Sequence, residues 1–157
     1  GRRLDREVIN LGFSGNALLD MEIAELMASV DDPGLYVLDY VPNASADAID
    51  QVGEHFFRII RDAHPEVPVV FIEDVIFPHT IFDNKILEEV TKKNVAQKRL
   101  FKKLKQSGEK RIYYISAEGM IGDDGEATVD AIHFTDLGAM RYVDHVLPLI
   151  KRALRCH

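Results

Sequence analysis

Asp130-Ala131-Ile132-His133, running on into Phe134-Thr135-Asp136-Leu137-Gly138, is the stretch of this chain best equipped for chemistry. A carboxylate three residues ahead of a histidine, on a loop entering a helix, can accept the imidazole Nδ1–H. That bond fixes the tautomer and leaves Nε2 free as a base, which is two-thirds of a hydrolytic triad. The same spacing also occurs where an Asp merely caps a turn beside an incidental His. Two other loops bear on the choice. Asn10-Leu11-Gly12-Phe13-Ser14-Gly15-Asn16 follows one apolar run, and Asp39-Tyr40-Val41-Pro42-Asn43 follows the next. A backbone N–H in a glycine turn and an Asn side-chain amide are the donor types that stabilise a tetrahedral oxyanion. Singly, each is an ordinary turn.

Other groups compete with this reading. Gly12-Phe13-Ser14-Gly15-Asn16 nearly matches the G-x-S-x-G nucleophile elbow, and the order Ser14, Asp130, His133 agrees with that of α/β-hydrolases; the fifth position, however, is Asn16. Otherwise Ser14 shapes the glycine turn or hydrogen-bonds near the oxyanion site. Asp123, Asp124, Glu126 and Asp130 lack the ligand spacing of an EF-hand, so a solvated acidic loop is expected rather than a Ca²⁺ or other metal site. His79, between Pro78 and Thr80 in a long aromatic loop, is a surface histidine or a weak substrate contact. His55, His64, His145 and His157 receive no role, and Phe56-Phe57 and Tyr113-Tyr114 read as core and sheet residues.

Several elements must position these groups. Val8 to Phe13 reads as a buried strand, and Leu18 to Val30 as a helix with Leu18, Leu19, Ile23, Leu26 and Met27 on its apolar side. Leu35 to Val41 is a second strand. A helix capped by Ser45 or Asp47 runs to His64-Pro65, and Val67 to Ile72 is a third strand, β-branched enough for burial on both faces. A long amphipathic helix from about Lys85 to Gln106 precedes a fourth strand, Arg111 to Ile115. Thr135 caps a last helix through Leu154, with Pro148 a candidate kink. Strands alternating with helices of this length imply parallel pairing, hence an α/β fold: a three-layer α/β/α sandwich with a parallel, flavodoxin-like sheet. Ligands of such sheets sit beyond the carboxyl ends of the strands, where these loops emerge.

With 157 residues, 46% of them hydrophobic, the chain suits one domain spanning 1–157 with a single core. A net charge of −7 opposes binding to a phosphate backbone, so no nucleic-acid partner is expected. The basic run Lys98, Arg99, Lys102, Lys103 and Lys105 falls at helical spacing and reads as a solvated face. Cys156 is the only cysteine, which precludes an intrachain disulfide and a Cys metal cluster. No apolar stretch approaches the length of a bilayer span, and no leader is evident; a mature secreted or periplasmic protein would lack one too, so the compartment stays open between those and the cytoplasm. Gly1-Arg2-Arg3-Leu4-Asp5-Arg6 leads into an apolar run as if the chain were entered partway through an element.

In this order and at successive strand ends, the three loops resemble those of the SGNH hydrolases, or GDSL-like esterases and lipases, over nearly the whole chain. The branch with Asn-Leu-Gly-x-Ser-Gly and Asp-x-x-Pro-Asn, of acetylhydrolase-like enzymes, is the most similar. The resemblance implies Gly15 and Asn43 as oxyanion-hole donors, with Asp130 and His133 as catalytic acid and base. The Asn block departs from the usual Gly-x-Asn-Asp, since Pro42 and Ala44 flank Asn43. The block carrying the nucleophilic Ser is missing and would lie upstream of Gly1; its strand would be the sheet's first and central one, between the Val8 and Leu35 strands. The resemblance thus implies an N-terminally incomplete serine-type ester hydrolase with no cofactor, silent on its own. Its substrate would be a small-molecule ester of short acyl chain, such as an O-acetyl carbohydrate. The alternatives are a non-catalytic glycan- or protein-binding module on an esterase scaffold, or an α/β-hydrolase-like enzyme using Ser14. A flavodoxin-like nucleotide binder ranks last, for want of a phosphate-cradling glycine loop. Whether the protein forms a homo-oligomer is open.

Overall fold

The computed structural model describes residues 1–155; Cys156 and His157 lie outside the described residues. The elements, in chain order, are α1 (Met21–Ala28), β1 (Tyr36–Leu38), α2 (Ala46–Ala63), β2 (Val69–Ile72), a 3₁₀ turn (Pro78–Ile81), α3 (Asn84–Gln106), β3 (Ile112–Ile115) and α4 (Asp136–Arg155). The strands form one parallel sheet ordered β1-β2-β3, with Val37 opposite Val70 and Val70 opposite Tyr113.

Burial on both faces makes the sandwich. Successive side chains of a strand point to opposite sides. Val69 and Phe71 accordingly join one core with Ile49, Phe57 and Ile60 of α2 and Leu100 and Leu104 of α3, while Val70 and Ile72 join another with Val146, Ile150 and Ala153 of α4. Ser45 Oγ accepts the Ala48 N–H at 3.1 Å and caps α2; Asp83 does the same for α3, accepting from Lys85 and Ile86. Gln97, fully buried on α3, accepts the Tyr40 hydroxyl at 2.6 Å, which ties the chain just past β1 to that helix.

The structure corrects three expectations. Val8 to Phe13 is not a strand: the segment is irregular, with Val8, Ile9 and Phe13 more than half exposed. A strand needs a neighbour to receive its N–H and C=O groups, and between this segment and the outer edge of β1 lies an open trough of about 1480 Å³. The first helix begins at Met21 rather than Leu18, because Leu19 adopts φ +67°, outside the right-handed helical region; Leu18 and Leu26 are exposed. β1 stops at Leu38 rather than Val41, since the Tyr40 carbonyl turns back to accept the N–H groups of Asn43 and Ala44 at 3.0 and 2.9 Å. The later helices and strands lie within two residues of the expected bounds. Phe56 and Phe57 are buried, and Tyr113 and Tyr114 lie on β3.

Candidate active site

Asp130 and His133 sit at the tip of a tight reversal between β3 and α4. Thr128 and Phe134 form an antiparallel bridge, the Val129 N–H donates to the His133 carbonyl at 2.9 Å, and the Thr135 N–H donates to the Ala127 carbonyl at 2.9 Å. Inside the reversal, Asp130 Oδ1 accepts the N–H groups of Ile132 and His133 at 3.0 and 2.7 Å, which leaves Oδ2 to meet His133 Nδ1 at 2.6 Å. Closing so short a turn forces Ala131 to φ +74°, a left-handed conformation an L side chain rarely adopts. The His133 hydrogen bond, helped by the two backbone donors, pulls the Asp130 carboxyl down to about 2. With Nδ1–H committed to Asp130, Nε2 is the free nitrogen, and the His133 side chain is 76% exposed, so Nε2 is open to a reacting partner.

The reversal is seated on α4. Thr135 Oγ1 accepts the Gly138 N–H at 3.0 Å and donates to the Glu126 carbonyl at 2.9 Å, which caps the helix as expected and ties it to the loop before. A Cβ on Gly138 would lie 1.9 Å from the Ala127 carbonyl oxygen, so only glycine lets the helix meet that backbone. One turn further on, Arg141 forks onto Asp124, both contacts 2.7 Å, and holds that carboxyl well below the usual carboxylate range. The acidic loop is thereby engaged with α4. Among the described residues, no group of three or more His, Cys, Asp or Glu is disposed to hold a metal ion.

Gly15 occupies an exposed turn at φ +69°, closed by the Asn16 N–H donating to the Phe13 carbonyl at 2.9 Å. Asn43 is exposed in the turn leaving the carboxyl end of β1, where Lys93 Nζ donates to the Pro42 carbonyl at 3.1 Å. Among the described residues, the Gly15 N–H and the Asn43 side-chain amide make no hydrogen bond, and none links either to Asp130 or His133. Ser14 accepts Asn16 Nδ2 on its carbonyl at 2.6 Å, and its hydroxyl meets no imidazole. No strand leads into Ser14 and no helix starts before Met21, so the strand-turn-helix elbow is not formed. His79 lies on the 3₁₀ turn, half-buried with its ring 5.7 Å from that of Phe77. His64 and His145 are held through Nε2 by the carbonyls of Ala28 and Ser116.

Three groups near the carboxyl end of the sheet were given no role by the sequence, although Asp39 opens the Asp-x-x-Pro-Asn motif. Asp39, the residue after β1, accepts the Tyr142 hydroxyl on Oδ2 at 2.5 Å. Crowding by protein raises its carboxyl, against the lowering effect of that bond. Asp74, two residues past β2, is 5% exposed, and burial pushes its carboxyl up to about 6. Asn94 of α3 holds the Asp74 backbone at both groups, accepting its N–H at 2.8 Å and donating to its carbonyl at 2.9 Å. For Asp74 and Asn94 only position signalled them: an acidic residue just past an apolar strand, and an Asn among the apolar positions of a helix.

The class defined by these features is a parallel three-layer α/β/α scaffold with an Asp-x-x-His reversal at the carboxyl end of its sheet. The sequence profile of the GDSL-like lipase/acylhydrolase family matches residues 1–151, and the chain belongs to that family. A protein from Bacteroides ovatus ATCC 8483, whose crystal structure is described as that of a GDSL-like lipase, superposes with a TM-score of 0.89 at 33% identity, over 94% of this chain and 43% of its own. The salicylyl-acyltransferase SsfX3 of a tetracycline biosynthetic pathway superposes with a TM-score of 0.66 at 17% identity, over 85% of this chain and 41% of its own, a likeness of fold alone. The chain thus spans less than half the length of either solved structure. No curated protein matches it. No helix among the described residues is long and apolar enough to cross a membrane.

Proposed function

We propose that this chain is the acid/base and oxyanion-binding part of a serine-type carboxylic ester hydrolase acting on small acyl esters. The observation that carries the reading is the 2.6 Å contact of His133 Nδ1 with Asp130 Oδ2, on an exposed tip, in a chain of the GDSL-like family. The nucleophilic Ser would come from a segment ahead of Gly1. In its favour, the trough beside the open edge of β1 offers unpaired strand backbone between apolar walls from α1 (Ile23, Met27) and α4 (Val143, Leu147). Residues 1–157 alone would then be silent.

In the reaction so proposed, the Ser Oγ attacks the acyl carbon while His133 Nε2 takes its proton, and Asp130 stabilises the imidazolium that forms. The oxyanion is held by the Gly15 N–H and the Asn43 amide. The C–O bond to the alcohol breaks as Nε2 returns the proton to the leaving oxygen. Water then attacks the acyl-Ser, Nε2 takes a water proton and gives it back to Ser Oγ, and the carboxylic acid departs. No metal or organic cofactor takes part. An acetyl group on a carbohydrate fits the acetylhydrolase-like motifs, and His79 and Ser14 would border the substrate.

The test assays the complete natural polypeptide and residues 1–157 on p-nitrophenyl acetate and labels both with a fluorophosphonate. Turnover and labelling confined to the longer protein, at a Ser ahead of Gly1, are expected. Labelling of the shorter chain at Ser14 would replace this reading with one in which Ser14 is the nucleophile, and no labelling of either would leave a binding module.

A further inference from the structure

We propose that Tyr142 and Asp39 are a positioning couple, which fixes the separation between the His133 reversal and the Asn43 turn. The inference rests on the reading above, in which His133 is the base and Asn43 an oxyanion donor.

Those two groups come from opposite ends of the chain, yet both must address one acyl carbon. The covalent path between them is long, so their distance depends on contacts that cross it. The Tyr142 hydroxyl makes one such contact, donating at 2.5 Å to a residue 103 positions away. At its other side, the Tyr142 ring packs on that of Phe134, centroids 5.4 Å apart, and Phe134 directly follows His133. Asp39 directly follows β1, and the turn built on the Tyr40 carbonyl leads from it to Asn43. A continuous path therefore runs from the His133 backbone through two aromatic rings and a hydroxyl to the strand end that carries the Asn43 turn.

The other anchors described for α4 do not serve this purpose. Gly138 against Ala127, Thr135 to Glu126, Arg141 to Asp124 and His145 to Ser116 all fasten the helix to the segment between β3 and α4. Val146, Ile150 and Ala153 glue its later turns to the sheet core. Loss of one hydroxyl from a helix so anchored should spare the fold while loosening the first turns, where the reversal sits. Burial, reinforced by the nearby Asp39 and Asp74 carboxylates, drives the pKa of that hydroxyl upward, so it stays protonated and can donate to Asp39. Neither Tyr142 nor Asp39 need touch the substrate.

The test uses the complete natural polypeptide with Tyr142→Phe, Asp39→Ala, Asp39→Asn and His133→Ala, assayed on p-nitrophenyl acetate. Tyr142→Phe is expected to lower kcat about tenfold with KM within about twofold, because misplacement of the base acts on the transition state. Asp39→Ala should match it, and Asp39→Asn, whose amide oxygen can still accept the hydroxyl, should restore most of the turnover. The His133 Hε1 resonance should shift or broaden in Tyr142→Phe and Asp39→Ala and stay in place in Asp39→Asn. Wild-type kcat in Tyr142→Phe, or an unmoved His133 resonance, overturns the couple; so does an Asp39→Asn variant as impaired as Asp39→Ala. Full turnover in His133→Ala would instead sink the base reading, and the resonance then decides the coupling independently.

Discussion

Asp130 and Asp74 are both carboxylates beyond the carboxyl end of the sheet, and their surroundings drive them in opposite directions. Asp130 is exposed and held by its own neighbours, the His133 imidazole and two adjacent N–H groups, which pull it down to about 2. Asp74 is buried and held through its backbone by Asn94 of a distant helix, with desolvation pushing it up to about 6. A local turn that keeps a carboxylate ionised and in water makes a group that can steady a charged imidazole; a buried carboxyl whose backbone is clamped by a distant helix makes a joint. The contrast separates chemistry from architecture among residues of the same type.

The largest break expected in this contrast is His133→Ala. It should lower kcat on p-nitrophenyl acetate by roughly 10⁴-fold or more in the complete polypeptide while leaving the denaturant midpoint nearly unchanged, because an exposed tip carries little of the fold. Unfolding at a much lower urea concentration would move the reversal to the architectural side.

Gly138→Ala tests the seat of the reversal. A methyl group there would meet the Ala127 backbone at 1.9 Å, so α4 or the loop must move, with a stability loss on the order of 3 kcal/mol read from urea unfolding. Asn94→Ala should cost about 2 kcal/mol by the same measurement, since the buried N–H and carbonyl of Asp74 both lose their partner.

The smallest effects sharpen the comparison through pH. Unfolded, Asp74 ionises near 3.8; folded, near about 6. Between these values the folded protein holds the extra proton, so this group's contribution falls as pH rises through that window. Asp74→Asn should flatten that slope when denaturant midpoints are compared at pH 4, 5 and 6. Asp130 acts oppositely: its contribution is complete above about 4 and is lost as pH falls toward about 2, so Asp130→Asn should change only the acid limb.

Much of this was legible in the sequence, for reasons that differ by element. Val67 to Ile72 and the long stripe ending at Gln106 carry their structure in local pattern, and Ser45 and Thr135 declare helix starts through their own hydroxyls. The Asp130–His133 contact was legible because three residues of turn suffice to close it. Val8 to Phe13 misled because apolar composition states a preference for burial, whereas a strand requires a partner edge. Leu19 and Ala131 at positive φ left no trace, since neither is a residue type that signals such a backbone. Tyr142 and Asn94 were silent, and the motif residue Asp39 did not reveal its partner, because pairing between residues so far apart in the chain is a property of the assembled fold.

The outer edge of β1 has a consequence for handling the protein. Its backbone groups face open space beside apolar walls, Val37 is 40% exposed, and no charged side chain or proline interrupts Tyr36 to Leu38. Such an edge is a template for any extended peptide, including a neighbour's. Concentrated solutions of residues 1–157 should therefore self-associate through this strand, and a short soluble β-peptide that caps it should keep them dispersed.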